Sequence, residues 1–313
     1  MLKTELYGLT LATDFDLHGV GDSTDADPDV VVASRPAFGK WDKLPNGSTL
    51  LDYWTGDNQW YQLVRAEDGT FFFRIPSICD FAISSDLRQV DLAMYKGAAV
   101  GMDSVMTTGA LLSLLLCLRG ATVLHGSAVE MAGGAIAFIG HSGQGKTTTA
   151  TMFCAEGASV VTDDVLVVDS PEDQPTVRRG SRELRLRPGT EELASTVVAR
   201  EVRTSADKRL VLSPQYSEEE SLPLRALVIP SPTRDGSPLR FERLSRRNAV
   251  FALLSFPRLM GWRDDDVVTR SFEHATALAR TTPVVIAHVP WGPPFPADVS
   301  RSFSAWLDSQ PTS

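Results

Sequence analysis

Cysteine is scarce in this chain of 313 residues: only Cys79, Cys117 and Cys154 occur, each in apolar surroundings and none in a C-x-x-C or Cys/His pattern. That excludes a disulfide framework and a structural zinc site read from spacing. Long hydrophobic runs are missing too. The longest, Ala110–Leu118, covers nine residues and stops at Arg119, far short of the roughly 20 needed to span a bilayer. The opening residues carry Glu5, Asp14 and Asp16 and leave no apolar core for a secretory signal, so a cytoplasmic protein without membrane contact is expected. Positive charge is in deficit, with 30 Lys+Arg against 39 Asp+Glu, a net charge of −9 and a pI near 5.1. Bulk electrostatic binding of nucleic acid is therefore not expected, and any anion site must be local.

What is present suits a folded protein. The chain is 43% hydrophobic and 22% charged, which rules out disorder, and its length suggests about two domains. Residues 1–100 read as a small β-rich domain. Leu6–Ala12, Val30–Ala33, Trp60–Arg65, Thr70–Ile75 and Phe81–Ser84 are β-branched or aromatic segments broken by Asp, Gly, Pro and Asn. Asp14, Asp16, Asp22, Asp25, Asp27 and Asp29 lie among Gly, Ser and Pro, the composition of a solvated loop. Their spacing lacks the central Gly and closing Glu of an EF-hand calcium loop.

Residues 101–313 form the second predicted domain. A helix is expected over 102–119, then strands over Ala121–Val129 and Ala135–Gly140 and a helix over Thr147–Glu156 closed by Gly157. Ala158–Val168 reads as one strand with Thr162-Asp163-Asp164 in its middle. Further strands are expected at Arg182–Arg187, Arg209–Leu212, Leu224–Ile229 and Val284–Val289, and helices at Arg246–Phe256, Phe272–Arg280 and Val299–Leu307. Between Arg178 and Arg247 stand 15 of the basic residues against 10 acidic ones. This segment is either a salt-bridged surface or a positive wall facing phosphates or an acidic partner.

The strongest chemical signal is Gly140-His141-Ser142-Gly143-Gln144-Gly145-Lys146-Thr147, which is G-x-x-x-x-G-K-T between an apolar strand and a helix. Glycines let backbone N–H groups curl around an anion, and the helix they open turns its positive end toward the same oxygens. Lys146 adds a point charge for the β- and γ-phosphates. Thr147 offers a hydroxyl to Mg²⁺, and Thr148 completes the nucleotide-binding stretch from Gly140. His141 has no role of its own beyond its amide. Asp163 and Asp164 follow Lys146 by 17 and 18 residues and are either a turn pair or cap, or carboxylates that hold Mg²⁺ or accept a hydroxyl proton. His125, in Val123-Leu124-His125-Gly126-Ser127, is a packed strand histidine or a site residue.

Together Leu124–Val129, Phe138–Thr147 and Ala158–Val165 resemble the catalytic domain of bacterial HPr kinase/phosphorylase and its relatives, where a histidine strand, a G-x-S-G-x-G-K-[ST] loop and an Asp-Asp strand occur in this order. The resemblance implies an α/β fold: a P-loop kinase domain of the HPr kinase/PEP carboxykinase type with a mixed sheet, preceded by a small β-rich N-terminal domain. It implies ATP and Mg²⁺ as cofactors, ATP on Gly140–Thr147, and Mg²⁺ on Thr147 and Asp163. His125, Asp163 and Asp164 would surround the transferred phosphoryl group, with an aspartate, Asp164 slightly favoured, activating a serine hydroxyl. The bifunctional enzymes carry a later E-I-R-G-x-G signature. Here Glu183-Leu184-Arg185 is followed by Leu186-Arg187-Pro188 instead of glycines, so the resemblance by itself does not imply the phosphorylase reaction or HPr as substrate. The layout is closer to HPr-kinase-like proteins of peptide-tailoring systems, some of which phosphorylate a serine of a lasso-peptide precursor. By that likeness Lys208 is a further phosphate contact, with Arg185 beside it, and the acceptor is a peptide or small protein bearing a serine, bound by the β-rich domain and the basic segment. The alternatives are a small-metabolite kinase and an ATP-binding accessory or regulatory protein without transfer.

Overall fold

The structure, a computed structural model, describes residues 1–21, 23–36, 43–131, 133–169, 174–205 and 208–310. Asp22 of the acidic stretch and Asp207 beside Lys208 lie outside them. The chain is mixed α/β and falls into two compact units, Met1–Ala121 with Leu259–Ser271, and Thr122–Arg258 with Phe272–Ser313. No helix among the described residues is long and apolar enough to cross a membrane.

The first unit holds β1 (Leu2–Leu6), β2 (Leu9–Thr13), β3 (Val30–Arg35), β4 (Gly47–Thr55), β5 (Asn58–Ala66), β6 (Phe71–Ile75), β7 (Cys79–Ile83) and β8 (Gln89–Met94). They make one sheet in the order β1-β2-β3-β8-β7-β6-β5-β4, with β2–β3 and β3–β8 parallel. Leu6–Ala12, expected as one strand, turns back on itself at Tyr7 and Gly8, both at positive φ. β4 and β8 carry too many polar residues to read as strands from composition. Helices α1 (Met102–Met106) and α2 (Leu112–Leu118) are joined by a π-helical stretch, Thr107–Leu111. They belong with this sheet and not with the residues after them. Ser104 Oγ accepts from His18 N at 2.8 Å, and the Arg119 guanidinium donates to Asp29 O and Leu87 O. The unit boundary accordingly falls at Ala121, later than the 100/101 division expected from composition. In the acidic stretch, Asp14 and Asp29 accept backbone amides of Ser34 and Thr10, which is how short acids stabilise loops.

The second unit contains β9 (Thr122–Met131), β10 (Gly134–Ile139), α3 (Lys146–Ala155), β11 (Ser159–Thr162), β12 (Val165–Asp169), β13 (Thr176–Arg178), β14 (Leu184–Leu186), α4 (Glu191–Ser195), β15 (Ala199–Thr204), β16 (Leu210–Pro214), β17 (Ser221–Thr233), β18 (Arg240–Arg243) and α5 (Arg246–Ser255). It also has α6 (Asp265–Thr281) from Phe272 onward, β19 (Val284–Pro290) and α7 (Val299–Asp308). β10 lies between antiparallel β9 and parallel β17, and β17 continues into parallel β19. A separate antiparallel sheet runs β14-β16-β15. β10 is buried on both faces, which explains its unbroken apolar run. Ile136 and Phe138 pack with Ala150, Met152 and Phe153 of α3, while Ala135, Ala137 and Ile139 pack with Leu253 and Leu278. The strand that delivers the glycine loop is thus fixed from both sides.

The expected strand over Ala158–Val168 is two strands. β11 stops at Thr162, Asp164 adopts φ 70, and β12 begins at Val165. Asp is among the few side chains that tolerate this region, because its short polar group can bond locally.

In the first unit, Asp80 is 3% exposed and accepts from Arg74 Nε and Nη2, both at 2.9 Å, and from Tyr95 Oη at 2.8 Å. Asp80→Ala removes the shared acceptor of a buried ion pair and is expected to cost about 3–5 kcal/mol in urea unfolding. Asp80→Asn, which can still accept from Tyr95, should cost less; equal stability of the alanine variant and the parent would contradict this reading.

Candidate active site around the Gly140–Gly145 loop

Five positions of the second unit meet at the end of β10. The loop Gly140–Gly145 leads into α3, whose N-cap is Gly145, with no side chain capping the first amides. Those amides are the orphan donors of a helix start and point at whatever occupies the loop. Gly145 is at φ +95, and a Cβ there would stand 2.5 Å from the Trp291 ring, so only glycine fits between loop and indole. Gln144 Oε1 accepts from His141 N at 2.8 Å, and the His141 ring packs edge-on against Phe256. His141 is therefore a packing residue whose backbone belongs to the loop.

Lys146 is buried, and its Nζ donates to His141 O at 2.8 Å. Burial lowers its pKa to about 8; Asp163 and Asp164 oppose the shift, while Arg258 and Arg187 add to it. Thr147 Oγ1 donates to Asp163 Oδ1 at 2.9 Å, and Thr148 is buried on the same turn.

Asp163 is 4% exposed and accepts from three elements. Ser127 Oγ of β9 donates at 2.5 Å and Thr147 Oγ1 of α3 at 2.9 Å to Oδ1, while Arg185 N of β14 donates to Oδ2 at 3.0 Å. Burial raises its pKa, and the three hydrogen bonds only partly reverse this.

Asp164 behaves differently, with a side chain 41% exposed. Arg258 Nη2 stands 2.7 Å from Oδ2 and His125 Nδ1 stands 3.3 Å from Oδ1. The protein packed around it resists ionisation, but Arg258 and then His125 outweigh that and hold the carboxyl well below the usual carboxylate range.

The predicted residues Lys146, Thr147, Asp163, Asp164 and His125 are thus brought together. Arg185 joins through its backbone amide. Lys208 lies on the turn between β15 and β16, where its N donates to Ser205 O, and no described hydrogen bond or ion pair links it to the loop. Sequence reasoning did not single out Ser127, Arg258 or Trp291. Ser127 and Asp163 are 36 residues apart and Arg258 and Asp164 are 94 apart, so no local spacing could flag them. Ser142 is exposed and accepts from the Arg187 guanidinium at 2.8 Å.

Could the residues present hold Mg²⁺? A hard cation takes oxygen ligands and, beside phosphates, needs only one or two from protein. Thr147 Oγ1 and Asp163 Oδ1, already in contact, supply that donor set. No group of three or more His, Cys, Asp or Glu suited to a metal occurs among the described residues.

No protein-family model matches the chain, and no curated protein matches it. A solved structure of the Hpr(Ser) kinase/phosphatase from Coxiella burnetii is similar over 50% of this chain and 97% of that chain, at 11% sequence identity and a TM-score of 0.25.

The Lys146 value sets a pH dependence. Below about 8 the ammonium is charged and would support any anion on the loop; above it the charge is lost unless such an anion holds it. Binding of inorganic triphosphate is therefore expected to weaken as pH rises through about 8 and to take up a proton above it. Calorimetry in buffers of different ionisation heat reads both effects, and a pH-independent affinity would rule out this role for Lys146.

Proposed function

We propose that this protein is an ATP- and Mg²⁺-dependent kinase that transfers the γ-phosphoryl to a serine hydroxyl of a peptide or small protein, of the kind suggested by its resemblance to HPr-kinase-like peptide-tailoring proteins. One observation carries the reading: the first hydroxyl of the helix after the glycine loop, Thr147, rests 2.9 Å from a buried carboxylate, Asp163, beside a buried lysine. A loop that only turned the chain would need none of these polar groups in its core.

In this reading the amides of 141–147 and Lys146 receive the phosphates. Thr147 and Asp163 would hold Mg²⁺, which would supply positive charge to offset that of the phosphates. Asp163, buried and with both oxygens engaged, is unsuited to meet an incoming hydroxyl. Asp164 is accessible and kept ionised by Arg258, so it receives the hydroxyl and accepts its proton while the bond from γ-phosphorus to the bridging oxygen breaks and the bond to serine oxygen forms. A loose transition state asks the aspartate to orient the hydroxyl more than to pull hard on its proton, which suits a carboxylate of low proton affinity. His125, within 3.3 Å of Asp164, steadies that carboxylate. An accessible carboxylate held ionised at the site favours transfer over an ATP-binding accessory without chemistry.

The test is incubation with ATP, Mg²⁺ and serine-bearing peptides, read by a one-phosphate mass gain of the acceptor. Lys146→Ala is expected to abolish transfer and weaken ATP binding. Asp164→Asn should lower transfer by about 10²-fold or more with ATP binding largely kept. Transfer retained in both variants would refute the mechanism, and a small hydroxylated metabolite taking the phosphate in place of peptide would redirect the substrate class.

A further inference from the structure

Arg187 directly follows β14 and turns its side chain over the glycine loop. Its Nη2 donates to Ser142 Oγ at 2.8 Å, and a Cβ on Gly143 would stand 3.2 Å from Nη1 and 3.6 Å from Nη2. The guanidinium therefore lies against bare loop backbone, where a side chain on Gly143 would crowd it. Its base is held in place, since Leu184 and Leu186 are buried and Arg187 O accepts from Thr190 Oγ1 at 2.7 Å.

Its charge is uncompensated. Arg74, Arg178, Arg203 and Arg258 each pair with a carboxylate. Among the described residues no carboxylate pairs with Arg187; its partner is a neutral hydroxyl, one bond out of the five N–H donors a guanidinium offers. The charge is felt within the site, because Arg187 is one of the groups that push Lys146 down after burial itself. A planar fork with free donors, fixed beside a loop built for phosphates, matches the oxygens of a phosphoryl group.

We propose that Arg187 is a catalytic residue that contacts the terminal phosphoryl oxygens of a bound nucleoside triphosphate and stabilises the charge that develops during transfer. This rests on the kinase reading above. During the step the bond from γ-phosphorus to the bridging oxygen breaks, that oxygen's electron pair stays with the nucleoside diphosphate, and phosphorus bonds to the acceptor oxygen. The acceptor's proton goes to Asp164. Arg187 stays protonated throughout and exchanges only hydrogen bonds.

The experiment needs no acceptor. The full chain is titrated calorimetrically with Mg·ADP and with Mg·ADP plus aluminium fluoride, a mimic of the phosphoryl in flight, and the ratio of the two affinities is the readout. In Arg187→Ala that ratio is expected to fall by about 10²-fold or more, while Mg·ADP alone changes by less than about threefold. Arg187→Lys should recover less than about a tenth of the loss, because a point charge lacks the fork. Arg187 is exposed, and thermal melting checks that both variants remain folded. An unchanged ratio in Arg187→Ala, or equal loss for both ligands, overturns the catalytic role and leaves the kinase reading standing. Failure of the parent protein to bind Mg·ADP overturns the kinase reading and this role with it.

Discussion

The buried carboxylate of Asp163 ties the site together. Taking a carboxyl out of water costs several kcal/mol unless donors replace the lost hydration. Here the donors come from three separate elements, Ser127 on β9, Thr147 on α3 and the Arg185 amide of β14. Each element is thereby held in register with the end of β11. Shifting any one of them would leave a buried acid short of a partner, so the position of the helix start relative to the loop follows from satisfying a single group.

Two neighbours in sequence end in opposite electrostatic states because the backbone breaks between them. In a continuous strand Asp163 and Asp164 would face opposite sides of the sheet. The left-handed turn at Asp164 instead sends its carboxylate to Arg258 and His125, at the partly open edge of the site. Burial lifts the proton affinity of Asp163, and ion pairing depresses that of Asp164. Environments that separate two acids in this way commonly separate their roles, and the proposed division into cation holder and hydroxyl acceptor follows that pattern.

Local signals made much of this readable from sequence. The change of period from strand to helix around Gly140–Gly145 is visible because β10 is apolar on both faces and α3 begins at Lys146. The Asp pair was legible as chemistry but not as geometry, since an apolar run on either side of it looks like one strand. What was not legible is what the fold brings from afar. Arg258 follows Phe256-Pro257, a stretch with no motif, and is held near Asp164 by the bond from its own N to Val123 O of β9. Segment 259–271 likewise joins the first unit through Met260 N to Tyr61 Oη and Arg263 to Asp52, contacts that no spacing encodes.

The basic segment from Arg178 to Arg247 resolves in a way that sharpens the site. Composition left two readings, a salt-bridged surface or a wall facing phosphates. Arg178, Arg203, Arg225 and Arg240 pair with Asp169, Glu183, Asp308 and Glu242, and Arg182 and Arg200 lie over the Tyr216 ring. The exposed pairs among these, Arg225–Asp308 and Arg240–Glu242, are worth little in stability, and the charges of all four pairs are largely cancelled at a distance. The local excess then does not spread evenly over the segment. Part of it sits at Arg187, against the glycine loop, next to a lysine already strained by burial. Three cations, Lys146, Arg187 and Arg258, face two acids within one small region, so the ligand-free site carries net positive charge when both acids are ionised. On a protein of net charge −9 such a concentration is a local feature maintained by folding, and an anion bearing several charges is the partner that would relieve it.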